Sequence, residues 1–184
     1  MKKTVLTYGL ISGAVLATMT AILTPLLCMN RTINLRHSEI FGYTAMVLAY
    51  IAVFFGIRSY RDRNNGGTIT FGRAFQVGIL ITLVTCAVYV IGWEIVFWGF
   101  IPDFGDKYAA LALERMQNDG ATPAALATAQ AEMARFKELY RNPLFNVGMT
   151  FLEVFPVGLI VTLVSAAILR KKTPTATAAA AAVA

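Results

Sequence analysis

The stretch Asn142-Pro143-Leu144-Phe145-Asn146-Val147-Gly148-Met149-Thr150-Phe151-Leu152-Glu153-Val154-Phe155-Pro156-Val157-Gly158 decides the fold. It runs on apolar to Leu169 and is closed by Arg170-Lys171-Lys172. As a helix rising about 1.5 Å per residue, 144–169 crosses a bilayer core of about 30 Å. A carboxylate inside such a helix is costly, and Pro156 withholds the N–H that would bond the Leu152 carbonyl. Two local rules are broken within one turn, which marks Glu153 and Pro156 as a place to look for function or strain.

The rest of the chain agrees with a membrane reading. Of 184 residues, 57% are hydrophobic and 14% charged, with a mean hydropathy of +0.63; a soluble domain is less apolar and more charged. The net charge of +6 would suggest nucleic acid in a soluble protein. Here the cations flank apolar runs, which points to a membrane surface and to no nucleic-acid partner. Four spans are predicted, at about residues 4–29, 40–57, 74–101 and 144–169. The first follows Met1-Lys2-Lys3 but is too long for a signal-peptide core and lacks a clear cleavage site, so it reads as an uncleaved helix. Cys28 and Cys86 stand at depths differing by about 18 Å, beyond disulfide reach, and read as reduced packing residues.

Small residues line the first two spans. Gly9 and Gly13 begin one stripe and Gly42 and Gly56 bracket another, so all four are predicted to let helices approach closely. His37, alone in the loop 30–39, reads as a surface residue, because no metal-ligand pattern surrounds it. Arg58 to Gly67 reads as a basic turn. Tyr89, Trp93, Phe97, Trp98 and Phe100 form an aromatic belt at the end of the third span, with Glu94 inside it. Counting from Arg73 and from Arg170 places Glu94 and Glu153 at similar depth, Glu153 about 5 Å below the boundary.

Residues 103–142 form the one sizeable segment between spans. Helices are predicted over 104–118 and 123–140, the second opened by Thr122 as N-cap and Pro123 at the first helical position. They read as an amphipathic hairpin. Residues 173–184 are an alanine- and threonine-rich tail expected to be disordered, outside a single transmembrane domain at 1–172. The predicted fold is therefore all-α: a four-helix membrane bundle with an external helical hairpin between its third and fourth spans. With four spans the termini and the 58–73 loop share one side, carrying nine cations against Asp62; the other side holds seven of each sign. The positive-inside rule puts both termini in the cytoplasm.

Several stretches resemble one family of small bacterial membrane proteins, known as domain of unknown function four-one-nine-nine. They include Tyr8-Gly9-Leu10-Ile11-x-Gly13, Gly56-Ile57-Arg58-Ser59-Tyr60-Arg61-Asp62, Thr68-Ile69-Thr70-Phe71-Gly72-Arg73-Ala74-Phe75, Ile101-Pro102-Asp103-Phe104, Asn142-Pro143-Leu144-Phe145 and Glu153-x-Phe155-Pro156-Val157-Gly158. The resemblance covers Met1 to Lys172 and implies a protein of the bacterial inner membrane. It implies no activity, substrate or cofactor.

Function therefore rests on the residues. No nucleophile, phosphate-binding or metal motif is present, so the reading is non-catalytic, with no cofactor: a structural, anchoring or regulatory partner of another membrane or envelope component, or a homo-oligomer. The alternative is an oligomeric transporter using Glu153 and Glu94, with Asn146 and Thr150 on the same helical face as Glu153 and a carbonyl freed by Pro156. A membrane enzyme using the two carboxylates is a third reading. Against all of these, Glu153 can be a packing residue paired with Arg31, Arg36 or a backbone donor.

Overall fold

A computed structural model describes residues 1–29, 35–101 and 103–171, without the side chains of 23–29, 35–41 and 104. The expectations for Arg31 and the 173–184 tail lie outside the described residues, and those for Cys28, Arg36 and His37 rest on side chains that are not described; the expected loop is helical from Leu35 on. The chain is all-α, with α1 (Lys2–Met29), α2 (Leu35–Asn64), α3 (Phe71–Gly99), α4 (Phe104–Asn118), α5 (Pro123–Tyr140) and α6 (Pro143–Leu169). Four stretches are long and apolar enough to cross a membrane: Lys2–Ile22, Gly42–Asn64, Phe71–Gly99 and Pro143–Leu169.

Local chemistry sets the ends. The basic stretch read as a turn is helical as far as Asn64, because Tyr60 is buried against the core and Asp62 bridges Arg58 and Arg61 on the helix surface. The helix stops only where Gly66 and Gly67 take φ of 59° and 80°, a region where a Cβ is disfavoured. The Gly67 N–H reaches back to the Arg61 carbonyl at 3.0 Å and satisfies one of the last orphan carbonyls. Thr70 then caps α3, its hydroxyl oxygen accepting the Arg73 N–H. Thr122 and Asn142 cap α5 and α6 in the same way, each followed by a proline at the first helical position.

Helix α3 packs along α1 on one side and α6 on another, and α2 touches all three. Between lipid-solvated helices apolar burial contributes little, so close approach and interhelical hydrogen bonds carry the association. A methyl group at Gly9 would sit 2.6 Å from the Val84 side chain, and one at Gly13 would sit 2.6 Å from Val88. The small stripe of α1 is thus a groove for α3 within one chain, with α1 and α3 parallel. At Gly56 a methyl would meet Ile81 at 2.5 Å. At Gly42, beside the stretch whose side chains are not described, nothing among the described residues lies within 4 Å of a Cβ placed there. Hydroxyl groups add specific links. Ser12 donates to the Ala49 carbonyl at 2.9 Å, and Thr82 pairs with Thr162 at 2.9 Å.

Helix α6 runs antiparallel to α3. Trp93 meets Asn146 near one end, Thr82 meets Thr162 in the middle, and a two-hydrogen-bond bridge joins Ile69 to Lys171 at the other end. Helices α4 and α5 pack on each other, joined by a Lys137–Asp106 ion pair with the Lys137 stem lying over Gly105. On α4 itself Lys107 pairs with Asp103 at 2.9 Å and holds that exposed carboxyl below its ordinary range.

Candidate functional site

The buried residues of α6 are Asn146, Thr150, Val154, Gly158, Thr162, Ser165, Ala166 and Leu169. The run from 146 to 166 advances four residues at a time. Four residues are about 400° of helix, so the buried direction turns by about 40° at each step. By Val154 it has rotated away from the line through Asn146 and Thr150. Glu153 lies about 100° back from Val154 and is exposed on the outside of the chain. Asn146 and Thr150 do come together, as expected; Glu153 stays within about 20° of the Asn146 direction, and it is the buried line that turns away from it.

The inner face begins with Asn146, which has no exposed surface. Its Oδ1 accepts the indole N–H of Trp93 at 3.0 Å and the Thr150 hydroxyl at 3.2 Å. The indole N–H, which can only donate, fixes which atom is the oxygen, because an amide nitrogen cannot accept it. Its Nδ2 has no partner among the described residues, an arrangement that costs about 1–3 kcal/mol. Tyr140, at the end of α5, places its hydroxyl beside Thr150 and Trp93, and burial pushes that hydroxyl above its usual range. Its ring packs on Phe97 and Phe136 with centroids 5.5 and 5.2 Å apart and closes the end of the α3–α6 contact.

Deeper in the same interface, Tyr50 is fully buried. Its hydroxyl donates to the Val154 carbonyl at 3.2 Å and contacts the Cys86 sulfur at 3.4 Å. Its ring occupies the space a side chain at Gly158 would need, 2.6 Å from where a methyl group there would lie. Tyr50, Trp93 and Tyr140 are the residues the sequence reading missed as polar partners. The visible signal was the four-residue recurrence of small and hydroxyl residues from 146 to 166, which demands large donors opposite it.

Glu94 lies apart from this line. Its Oε2 accepts the Trp98 indole N–H at 2.8 Å, and its Oε1 is buried without a partner among the described residues. The Trp93–Asn146, Thr82–Thr162 and Ile69–Lys171 pairings set Glu94 level with residues 145–146 and Glu153 level with about residue 87. Roughly seven residues separate the two carboxylates along the helix direction, about 10 Å. The similar depth expected from the basic flanks is not found, because flank counting ignores how antiparallel helices register on each other.

Glu153 lies about 15 Å along α6 from Pro143, well inside a 27-residue helix. It is within electrostatic reach of Tyr89 and Tyr140. Among the described residues it has no hydrogen-bond or ion-pair partner. Pro156 stands exposed one turn further on, leaving the Leu152 carbonyl without its usual donor. Among the described residues no three His, Cys, Asp or Glu side chains gather as a metal ion would require.

Residues 7–171 match a family described as "Protein of unknown function (DUF4199)". No curated protein and no solved structure matches the chain.

Proposed function

The chain belongs to the DUF4199 family of proteins of unknown function, and we propose that it is a non-catalytic membrane protein that docks a membrane partner through the outer face of α6. In this reading it is a four-helix bundle in a bacterial inner membrane. Both termini are cytoplasmic and α4–α5 form an external hairpin, as the cation distribution favours.

One observation carries the proposal: Glu153 is exposed, inside a span, and without a partner among the described residues. A carboxylate within a span costs up to about 2.5–3.5 kcal/mol, the value at the bilayer centre on insertion scales. A residue facing lipid alone would gain nothing for that cost. A residue covered by a second protein contributes a hydrogen bond where competing water is scarce. Among the described residues no donor within the chain reaches its carboxylate. The alternative of an oligomeric transporter using both carboxylates has less support, since Glu94 and Glu153 differ in level by about 10 Å.

Photocrosslinking in native membranes tests this. A benzophenone side chain at Ile160 or Leu163 is expected to give one discrete protein adduct that weakens when Glu153→Leu is added. Adducts to lipid alone at both positions would sink the proposal.

A further inference from the structure

The α4–α5 hairpin changes character along its length. Between Phe100 and Leu144, the large apolar residues exposed among those described are Tyr108, Phe136 and Leu139. All three lie at its base, beside the spans. Lys137 pairs with Asp106 and its stem lies over Gly105, which sets Tyr108 of α4 level with about residue 135 of α5. Leu111, Leu113, Met116, Leu126 and Met133 are half-buried. The exposed residues of the tip, from Glu114 to Thr122, are polar apart from Gly120. We infer that the base of the hairpin is seated in the lipid headgroup region, with the last turn of α5 on the upper acyl chains and the tip in water.

Lipid is the occupant because the base is continuous with the spans. Five rings from three helices touch in turn. Trp98 meets Phe97 with centroids 5.1 Å apart, Phe97 meets Tyr140 at 5.5 Å, Tyr140 meets Phe136 at 5.2 Å, and Phe136 meets Phe145 at 6.3 Å. The ends of this chain, Trp98 and Phe145, belong to the candidate spans Phe71–Gly99 and Pro143–Leu169. Whatever surrounds those spans therefore reaches Phe136 without a gap. At the same level Phe100 is 75% exposed and Leu144 84%. Rings with an apolar body and a polar tip favour the headgroup level, and Trp98, whose indole N–H reaches Glu94, and Tyr140 are of that kind. A protein partner in water would not require apolar exposure to stop at one height. Glu132 marks where it stops: it is exposed, about 40° from Phe136 around α5 and about 6 Å nearer the tip. The charges of the base fit the same seat. Asp103 and Asp106 are each paired with a lysine, and Glu138 points about 160° away from Phe136. Arg135 and Arg141 are exposed, with stems long enough to lie on lipid while their heads reach phosphate. This seat rests on the four spans and does not involve Glu153, so it and the docking role of α6 fail separately.

The test is a nitroxide label on the full-length chain in phosphatidylcholine vesicles, carried by Leu139→Cys, Tyr108→Cys, Glu132→Cys or Gln117→Cys after Cys28→Ser and Cys86→Ala. Relaxation by oxygen, which concentrates in lipid, is compared with relaxation by a nickel chelate, which stays in water. The labels at 139 and 108 are expected to favour oxygen several-fold more than those at 132 and 117. A label at 139 that matches the one at 132 overturns the inference. So does one that neither reagent reaches, because protein then covers the base. A second reading keeps the native cysteines. Leu139→Trp is expected to add fluorescence that lipids brominated near the headgroup quench, while the fluorescence added by Glu132→Trp is spared. Equal quenching of the two overturns the inference as well.

Discussion

The two faces of α6 are lined differently, and the contrast separates what builds the protein from what it offers outward. The inner face advances by four and presents Asn146, Thr150, Val154, Gly158 and Thr162 to α3 and α2, where all but Val154 are glycine or hydrogen-bonding side chains. The outer face presents large apolar residues such as Leu144, Leu152, Ile160, Leu163 and Ile168 with one carboxyl. Close approach needs glycine and hydroxyl groups on the inside. No such need exists outside, where lipid fills any shape.

The largest effect that this contrast predicts is at glycine. Gly158→Leu must displace the Tyr50 ring and Thr82, which a methyl at that point would meet at 2.5–2.6 Å. Overpacking of this kind costs about 3 kcal/mol or more and should abolish the thermal unfolding transition in mild detergent. Gly148→Ala on the same helix meets nothing within 4 Å and is expected to stabilise by up to about 1 kcal/mol through helix propensity. Equal responses at the two sites would erase the distinction between faces.

Asn146→Leu comes next. It removes the acceptor for Trp93 and Thr150, and a destabilisation of about 1–3 kcal/mol is expected, visible as a lower melting temperature. Glu153→Leu should leave the melting temperature of the isolated chain unchanged or raised. If it destabilises the chain as Asn146→Leu does, Glu153 is an inner-face residue after all. Tyr50→Phe loses only its hydroxyl bonds and should cost about 0.5–1 kcal/mol.

The smallest effect lies outside the spans. Lys107 holds the Asp103 carboxyl below its ordinary range, so any stabilisation from the pair is present above the unfolded carboxyl value and fades as pH falls through the folded one. Because the pair is exposed, Lys107→Ala should leave the thermal transition unmoved at neutral pH, and a clear shift would mean that α4 is docked more tightly than its exposed ion pair indicates.

Local chemistry was legible in the sequence: Thr122-Pro123 and Asn142-Pro143 announce helix starts, and apolar length announces the long helices. What required the structure was register. Counting from Arg73 and Arg170 treats each helix alone, so it could not show that Trp93 stands level with Asn146 or that Glu94 and Glu153 differ by about 10 Å. An ideal helical wheel groups Asn146, Thr150 and Glu153. It assumes a straight contact line, while a four-residue ridge winds around the helix and drops Glu153 outside. Gly42 fits a small-residue pattern as well as Gly56 does, and only Gly56 meets a described neighbour, Ile81.

The bridge between Ile69 and Lys171 joins points roughly a hundred residues apart, and it has a meaning for synthesis. The surface of α3 that α6 covers, including Trp93 and Thr82, is made long before α6 exists. Roughly seventy residues separate Gly99 from Leu169. At about 5–20 residues per second the ribosome needs about 4–14 s to deliver them. During that interval the unpaired donors of α3 and Tyr50 face lipid or the insertion machinery, so the last helix is the keystone whose arrival ends the nascent chain's dependence on that machinery.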